Sequence, residues 1–421
     1  MLTPPSLAPL IPQQHRLPNG NILYYFPNDN LDLVKLDFTV EAGSAYQQLK
    51  SQAHAANQLF GEATTLHDAP TIAEFLDFRG IVVERMTDTC QGNISYYFLR
   101  KYADELFPLL REMFDHPEVT PQLFEAYVAQ RRQKIAMGFQ QTNYVARNRF
   151  YELLYGFDHP LGCYATVSDL DLLTLDSVYQ FLRRHYSLAH AHIVLAGHVD
   201  EDLLTLADRY FSPEAPTGEH PIRLQLPAPA PVVSAEVSPA VLMPSAVQSS
   251  LRIGRVLPMA WHDPHYAQFM VLSTVLGGYF GSRLMSNIRE DKGYTYGIYS
   301  QTQVFRDSIV FFITAEVAAH ATQPAVQEVM CEIDRLQQQP IPEEELERVR
   351  NVMMGDFIRS VDGTFELSER YRQMYFTDVT EQLTTHYFDA VQHVTPAQLQ
   401  ALAQQYLTPL TTVTAGPAAE Q

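Results

Sequence analysis

Arg289-Glu-Asp-Lys-Gly-Tyr-Thr-Tyr296-Gly-Ile-Tyr-Ser300 is the stretch on which the fold of this chain turns. Just upstream lie Leu276-Gly-Gly278 and Ser282-Arg-Leu-Met-Ser-Asn-Ile288, where apolar residues at 284, 285 and 288 predict a helix. Lys292-Gly293 suits its end, a cation near the last carbonyls followed by a residue free to take positive φ. From Tyr294 to Tyr299 aromatic, small and β-branched residues alternate, which predicts a strand. Arg289 on the last helical turn and Tyr296 beyond a tight turn can face one place. A forked cation and a phenolic donor together suit the gripping of a carbonyl or carboxylate.

Around this unit, 421 residues leave room for two domains of ordinary size. Hydrophobic residues at 46% and charged residues at 18% are globular values. The formal charge of −19 excludes nucleic-acid binding through a basic face and disfavours anionic membranes. An acidic cavity in such a chain would favour basic peptides. Cys90, Cys163 and Cys331 are widely spaced, odd in number and without a CxxC pair, so they indicate neither a disulfide framework nor a cysteine zinc site, which fits a reducing compartment. Met1-Leu-Thr-Pro-Pro-Ser6 lacks a basic n-region and no apolar run approaches a bilayer span. The expectation is a cytoplasmic protein, or a periplasmic one if a leader has been removed.

In chain order, Leu17-Pro-Asn-Gly20 is a turn before Ile22–Phe26, and after Asn28-Asp-Asn30 residues 33–40 alternate as a second strand, so the two read as a hairpin. Residues 51–64 read as a helix carrying His54, Asn57 and Gln58, and 122–138 read as a later helix carrying Lys134. His185, His190, His192 and His198 lie close in sequence. Strand spacing puts His198 beyond reach of the others, so the cluster reads as surface or core-edge histidines, not a metal site. The proline-rich segment 213–232 reads as a semi-rigid spacer between domains 1–212 and 233–421. The second half repeats the first: a strand at 248–256, a helix at 264–276, the Arg/Tyr unit, then a strand at 308–316.

The stretch 289–300, with the repeated halves around it, resembles the second-half signature of the pitrilysin/insulinase-like zinc peptidases, the inverted zincins. The likeness covers about residues 14–417. It implies an α+β fold of two homologous domains, each a sheet packed by helices from duplicated subdomains, forming a clamshell around a cavity. It also implies that Arg289 and Tyr296 reach the substrate and its oxyanion from the second domain. In active members H-x-x-E-H supplies two zinc-binding histidines and a general base, and a Glu on a later helix completes the ligand set. Aligned without a gap, this chain keeps His54 but has Asn57 for the base, Gln58 for the second histidine and Lys134 for the third ligand. A carboxamide takes no proton from water at neutral pH, and an ammonium repels zinc. The substrate-binding edge strand also departs from the family, with Val83 and Glu84 for its small and Asn residues.

The resemblance therefore implies a chain that is not a metallopeptidase on its own. It would hold no cofactor and would serve as the non-catalytic subunit of a heteromeric metalloendopeptidase. Its partners would be a zinc-bearing homologous subunit and a peptide substrate, with a homodimer open to the chain alone. The alternative is a catalytically inactive peptide-binding or scaffold protein without an enzyme partner. Retention of Arg289 and Tyr296 favours the first, since a scaffold has no evident use for an oxyanion grip. An autonomous enzyme of another kind is disfavoured, because no nucleophile–base pattern or phosphate loop stands out.

Overall fold

A computed structural model of the protein describes residues 11–212, 223–229 and 239–418. Residues 213–222 and 230–232 of the proline-rich spacer lie outside the described residues. In chain order the first half runs β1 (Gln13–Arg16), β2 (Ile22–Pro27), β3 (Leu33–Val40), α1 (Gln52–Leu59), β4 (Ala63–Thr64), α2 (Ala69–Phe78), β5 (Val82–Thr87) and β6 (Gly92–Leu99). It continues with α3 (Ala103–Asp115), β7 (Pro117–Glu118), α4 (Pro121–Gly138), α5 (Thr142–Tyr155), α6 (Leu175–His185), β8 (His192–Gly197) and α7 (Glu201–Tyr210). The second half runs β9 (Ala240–Leu242), β10 (Gln248–Leu257), α8 (Pro264–Ser273), β11 (Thr295–Phe305), β12 (Ser308–Ala318) and α9 (Thr322–Gln338). After these come α10 (Glu343–Arg359), α11 (Thr364–Phe376), α12 (Glu381–His393), α13 (Pro396–Tyr406) and β13 (Thr411–Gly416).

Local chemistry sets many of these boundaries. Thr120 caps α4 by accepting from the Leu123 amide at 3.3 Å, and Asp263 and Thr395 cap α8 and α13 likewise. In each case a proline follows at once, where its missing N–H removes no helical bond. The helix expected over 51–64 ends at Leu59, and Ala63–Thr64 pairs instead with Pro117–Glu118.

The first sheet has the order β1-β2-β8-β3-β6-β5, and the second the order β11-β12-β10-β13-β9. Read from opposite ends, the five strands of the second match the run from β2 to β5 in the first, and among the described residues β1 has no counterpart. In both, a parallel pair (β2 with β8, β9 with β13) is followed by three antiparallel pairings. The two halves thus share one topology, and β11, which carries Tyr296, stands where β5 stands in the first half. Each sheet buries one face under its own helices. Phe38, Tyr96 and Phe107 lie in the first core, and Phe269, Phe311 and Leu399 in the second.

The opposite face of each sheet is covered by a helix from the other half. Helix α5 lies on β10 and β13, with Phe150 facing Phe312 at a ring separation of 6.4 Å. Burial of such a ring stabilises by about 1.5–3 kcal/mol. Gly254 permits this approach, because a Cβ there would meet the Phe311 carbonyl oxygen at 2.0 Å and the Phe150 ring at 3.0 Å. Helix α11 lies reciprocally on β2 and β8, where Tyr371 packs against Tyr24 and Phe26.

Alternation in β3 would ordinarily turn its polar residues to water. Here Lys35 and Asp37 are buried and paired at 3.1 Å, and Ser368 of α11 lies 3.5 Å from the Lys35 ammonium. Arg372 of the same helix is also buried and donates to Gln91 at 2.8 Å. The described part of the proline-rich segment is packed as well. The Leu224 and Leu226 amides donate to Tyr46 and Asp307, and the Pro227 carbonyl lies 2.9 Å from His159. Prolines stiffen that run but leave its other amides and its carbonyls free to bond.

Candidate functional site

Helix α1 enters the first core on Ala53, Ala55 and Ala56, which turns His54 toward α4. His54 Nδ1 lies 2.9 Å from Tyr127 Oη, and Nε2 lies 3.4 Å from Arg131 Nη1. A guanidinium only donates, so Nε2 presents its lone pair to Arg131 and the Nδ1 proton goes to Tyr127. Burial first, then the charges of Arg131 and Lys134, push the imidazole down to about 3, which keeps it neutral. Its one metal-binding lone pair is thereby directed at a cation.

Asn57 is fully buried and donates to the Asn93 carbonyl at 3.1 Å. Gln58 donates to the Arg85 carbonyl at 3.5 Å, joining α1 to β5. Lys134 is exposed one turn beyond Arg131 on α4. Among the described residues no group of three or more His, Cys, Asp or Glu could hold a metal ion. These residues do not fit zinc: one neutral imidazole faces a guanidinium and an ammonium, and two carboxamides serve backbone carbonyls. Purified protein should therefore carry no stoichiometric zinc here, and the double change Asn57→Glu with Gln58→His should not restore it while Arg131 and Lys134 remain. Elemental analysis finding about one zinc per chain, lost on His54→Ala, would overturn this.

His54 and Lys134 line a cavity of about 520 Å³ between the halves, walled on the far side by Tyr151 of α5 and by Gln303 and Phe305 of β11. Asn57, Gln58, Arg289 and Tyr296 do not line it. The other histidines have separate roles. His185 bonds the Glu41 carbonyl at 2.8 Å, His192 stacks on Tyr375 at 3.7 Å, and His198 bonds the Leu31 carbonyl at 2.9 Å.

The Arg/Tyr unit sits at the opposite end of β11. Its helix is wound in the wider π form over Met285–Asp291 and closes through Lys292 N to Asn287 O and Tyr294 N to Ile288 O, both 3.0 Å. Gly293 takes φ +67, a value strained for a residue with a side chain. The Arg289 guanidinium lies 4.4 Å above the Phe280 ring, with Glu290 4.0 Å away. Pairing with β12 jumps from Thr295↔Val317 to Ile298↔Ala315, so Tyr296 and Gly297 form a bulge. The Thr295 hydroxyl pins it by accepting from the Gly297 amide at 3.0 Å and donating to the Glu316 carbonyl at 2.6 Å. Bulges re-aim side chains. Tyr296 is 91% exposed, in place of the packed strand position that alternation alone predicts.

Residues 172–353 match the family model described as the peptidase M16 inactive domain. A Bacillus subtilis (strain 168) protein named uncharacterized zinc protease YmxG is 23% identical over 355 residues, 82% of this chain and 83% of that protein. A Helicobacter pylori protein named non-peptidase homolog YmxG is 26% identical over 247 residues, 58% of this chain and 55% of its own length. Among solved structures, a peptidase M16 inactive domain from Pseudomonas fluorescens superposes with a TM-score of 0.85 at 21% identity, covering 97% of this chain and 99% of that one.

Proposed function

Since this chain is an inactive M16-family peptidase homologue of the pitrilysin-like kind, we propose that it works as the non-catalytic subunit of a heteromeric zinc peptidase. In this reading a homologous partner brings the metal and the general base. This chain brings a phenolic donor, Tyr296, for the charge that develops on the scissile carbonyl oxygen, and a guanidinium, Arg289, for backbone carbonyls of the peptide.

One observation carries the reading: Tyr296 is held on a pinned bulge with its ring in solvent and, among the described residues, no hydrogen bond to its hydroxyl. A large exposed aromatic fixed by its backbone is pre-organised for something outside the chain. Filling the former metal position with cations and carboxamides supports the same division of labour, because this chain then cannot compete for zinc.

Co-expression with a homologous chain bearing H-x-x-E-H should give a co-purifying complex whose peptidase activity exceeds that of either chain alone. If the mixture is no more active than the zinc-bearing chain by itself, the scaffold reading replaces this one.

A further inference from the structure

The cavity beside His54 has a charge opposite to that of the whole protein. Lys50, Arg131, Lys134 and Arg147 line it against one carboxylate, Asp88, in a chain of net charge −19. Asp88 is committed to its own turn, accepting from the Cys90 and Gln91 amides at 2.7 and 2.8 Å. Lys50 is likewise engaged, 3.8 Å from Asp169 and 4.0 Å above the Phe157 ring. Arg131, Lys134 and Arg147 have no carboxylate partner among the described residues, and Arg147 has only the Tyr144 ring at 5.5 Å.

Four polar atoms of residues that line it are buried without any hydrogen-bond partner: Ser51 Oγ, Thr87 Oγ1, Arg131 Nε and Asn148 Nδ2. The last two can only donate, and the hydroxyls can. A buried bond left unmade is costly, so four around one hollow describe a site that an acceptor-rich ligand would complete. Ser51 also holds φ +68, a left-handed conformation unusual for serine and of the kind found at ligand clamps.

We propose that this cavity, where a zinc site would stand in an active relative, binds a peptide through a carboxylate. Arg131, Lys134 and Arg147 would share the charge, and the Asn148 amide and the two hydroxyls would donate to the remaining lone pairs. Ile135, Tyr144 and Leu161 add apolar wall beside these cations, which suits a carboxylate borne on an organic chain better than a bare inorganic anion. The site thus selects acidic peptides, opposite to what the net charge suggests. It needs no partner subunit, so its failure would leave the subunit reading standing, and the converse also holds.

The test is calorimetric titration of the full chain, alone, at low and high salt. The probes are acetyl-Ala-Glu-Phe-Glu-amide, its Gln counterpart, and that Gln peptide with a free carboxyl terminus. The Glu peptide should bind about tenfold or more tighter than the amidated Gln peptide, and Lys134→Glu or Arg147→Glu should each weaken it by about tenfold. Both residues are exposed on helices, so the variants should fold. Binding of the free-terminus peptide, lost in the same variants, would support the site with the terminal carboxylate as the recognised group. Equal binding of the amidated Glu and Gln peptides would overturn the proposal, as would indifference to both substitutions. Binding of inorganic phosphate without any carboxylate peptide would overturn it too.

Discussion

Tyr296→Phe is expected to lower the turnover of a complex between this chain and a zinc-bearing homologue by about 10²–10³, the usual effect of losing one preset donor to an oxyanion. The substitution removes a single hydroxyl from a ring that is almost wholly in solvent, and it leaves untouched the Thr295 bonds that set the bulge. Assembly and the partner's zinc content should therefore stay as they were, and the loss should fall on kcat. Arg289→Ala should raise KM more than it lowers kcat, because a group that holds peptide carbonyls binds ground state and transition state alike. The cation–π contact with Phe280, the main local loss, is worth only about 0.5–1 kcal/mol at an exposed site. If the doubly substituted complex cleaves peptides as fast as the parent, the pair has no part in catalysis.

The largest expected effect on stability belongs to Arg306. Its side chain is almost completely buried at the turn between β11 and β12, and it clasps both oxygens of Glu41 at 2.8 and 2.9 Å across the two halves. It also donates to the Leu224 carbonyl at 3.2 Å and the Phe376 carbonyl at 3.3 Å. Burial alone would lower its affinity for a proton, but the Glu41 carboxylate reverses this and holds the guanidinium above its ordinary range. Removing one partner of such a pair typically costs about 3–5 kcal/mol. Arg306→Ala should fall near the lower figure, because Glu41 keeps Tyr46 and Arg223 as neighbours. Chemical denaturation followed by far-UV circular dichroism and by the fluorescence of Trp261 would measure it. A loss under about 1 kcal/mol would show the clasp to be incidental.

Much of the fold is legible in local patterns. The strands β2, β3, β6 and β10 follow from alternation, and helix starts from a cap followed by proline. The hairpin expected of β2 and β3 does not form, because β8 pairs with both and lies between them. Helices α7, α11 and α12 escape such a reading. For α11 the reason is physical: its buried residues are Ser368, Arg372 and Phe376, so the face that enters the interior is largely polar and leaves no hydrophobic stripe. It can be buried only because Lys35 and Gln91 wait in the other half to bond Ser368 and Arg372, with Glu369 on the same helix pairing Arg372, and no local window contains the first two. The signal for α12 was present in Thr380 before Glu381, a cap with an acidic first turn.

The position to which the resemblance assigns a metal shows the same division. His54, Asn57, Gln58 and Lys134 are picked out by the family resemblance, through ungapped alignment on two helices. Arg131, one turn from Lys134 on the same face of α4, is the residue that actually occupies His54, and i, i+3 spacing could have found it. Arg147 and Asn148 come from α5, which only the tertiary fold brings to the same hollow. The bulge at Tyr296 is foreshadowed by Gly297, but its direction depends on pairing with β12.

The exchange of covering helices between the halves has a consequence for how the protein is made. When β8 leaves the ribosome the first sheet has all its strands, yet the helix that roofs its second face lies beyond residues 198–363, still to be translated. Until then Phe26, Val194 and Ala196 stand open beside the uncovered Lys35–Asp37 pair, a surface prone to wrong contacts. The second sheet meets no such delay, because α5 precedes it in the chain and is ready when β10, β12 and β13 arrive. Synthesis is therefore asymmetric although the architecture is nearly symmetric. The nascent first half is the stage at which a chaperone, or slower translation downstream, would most affect yield.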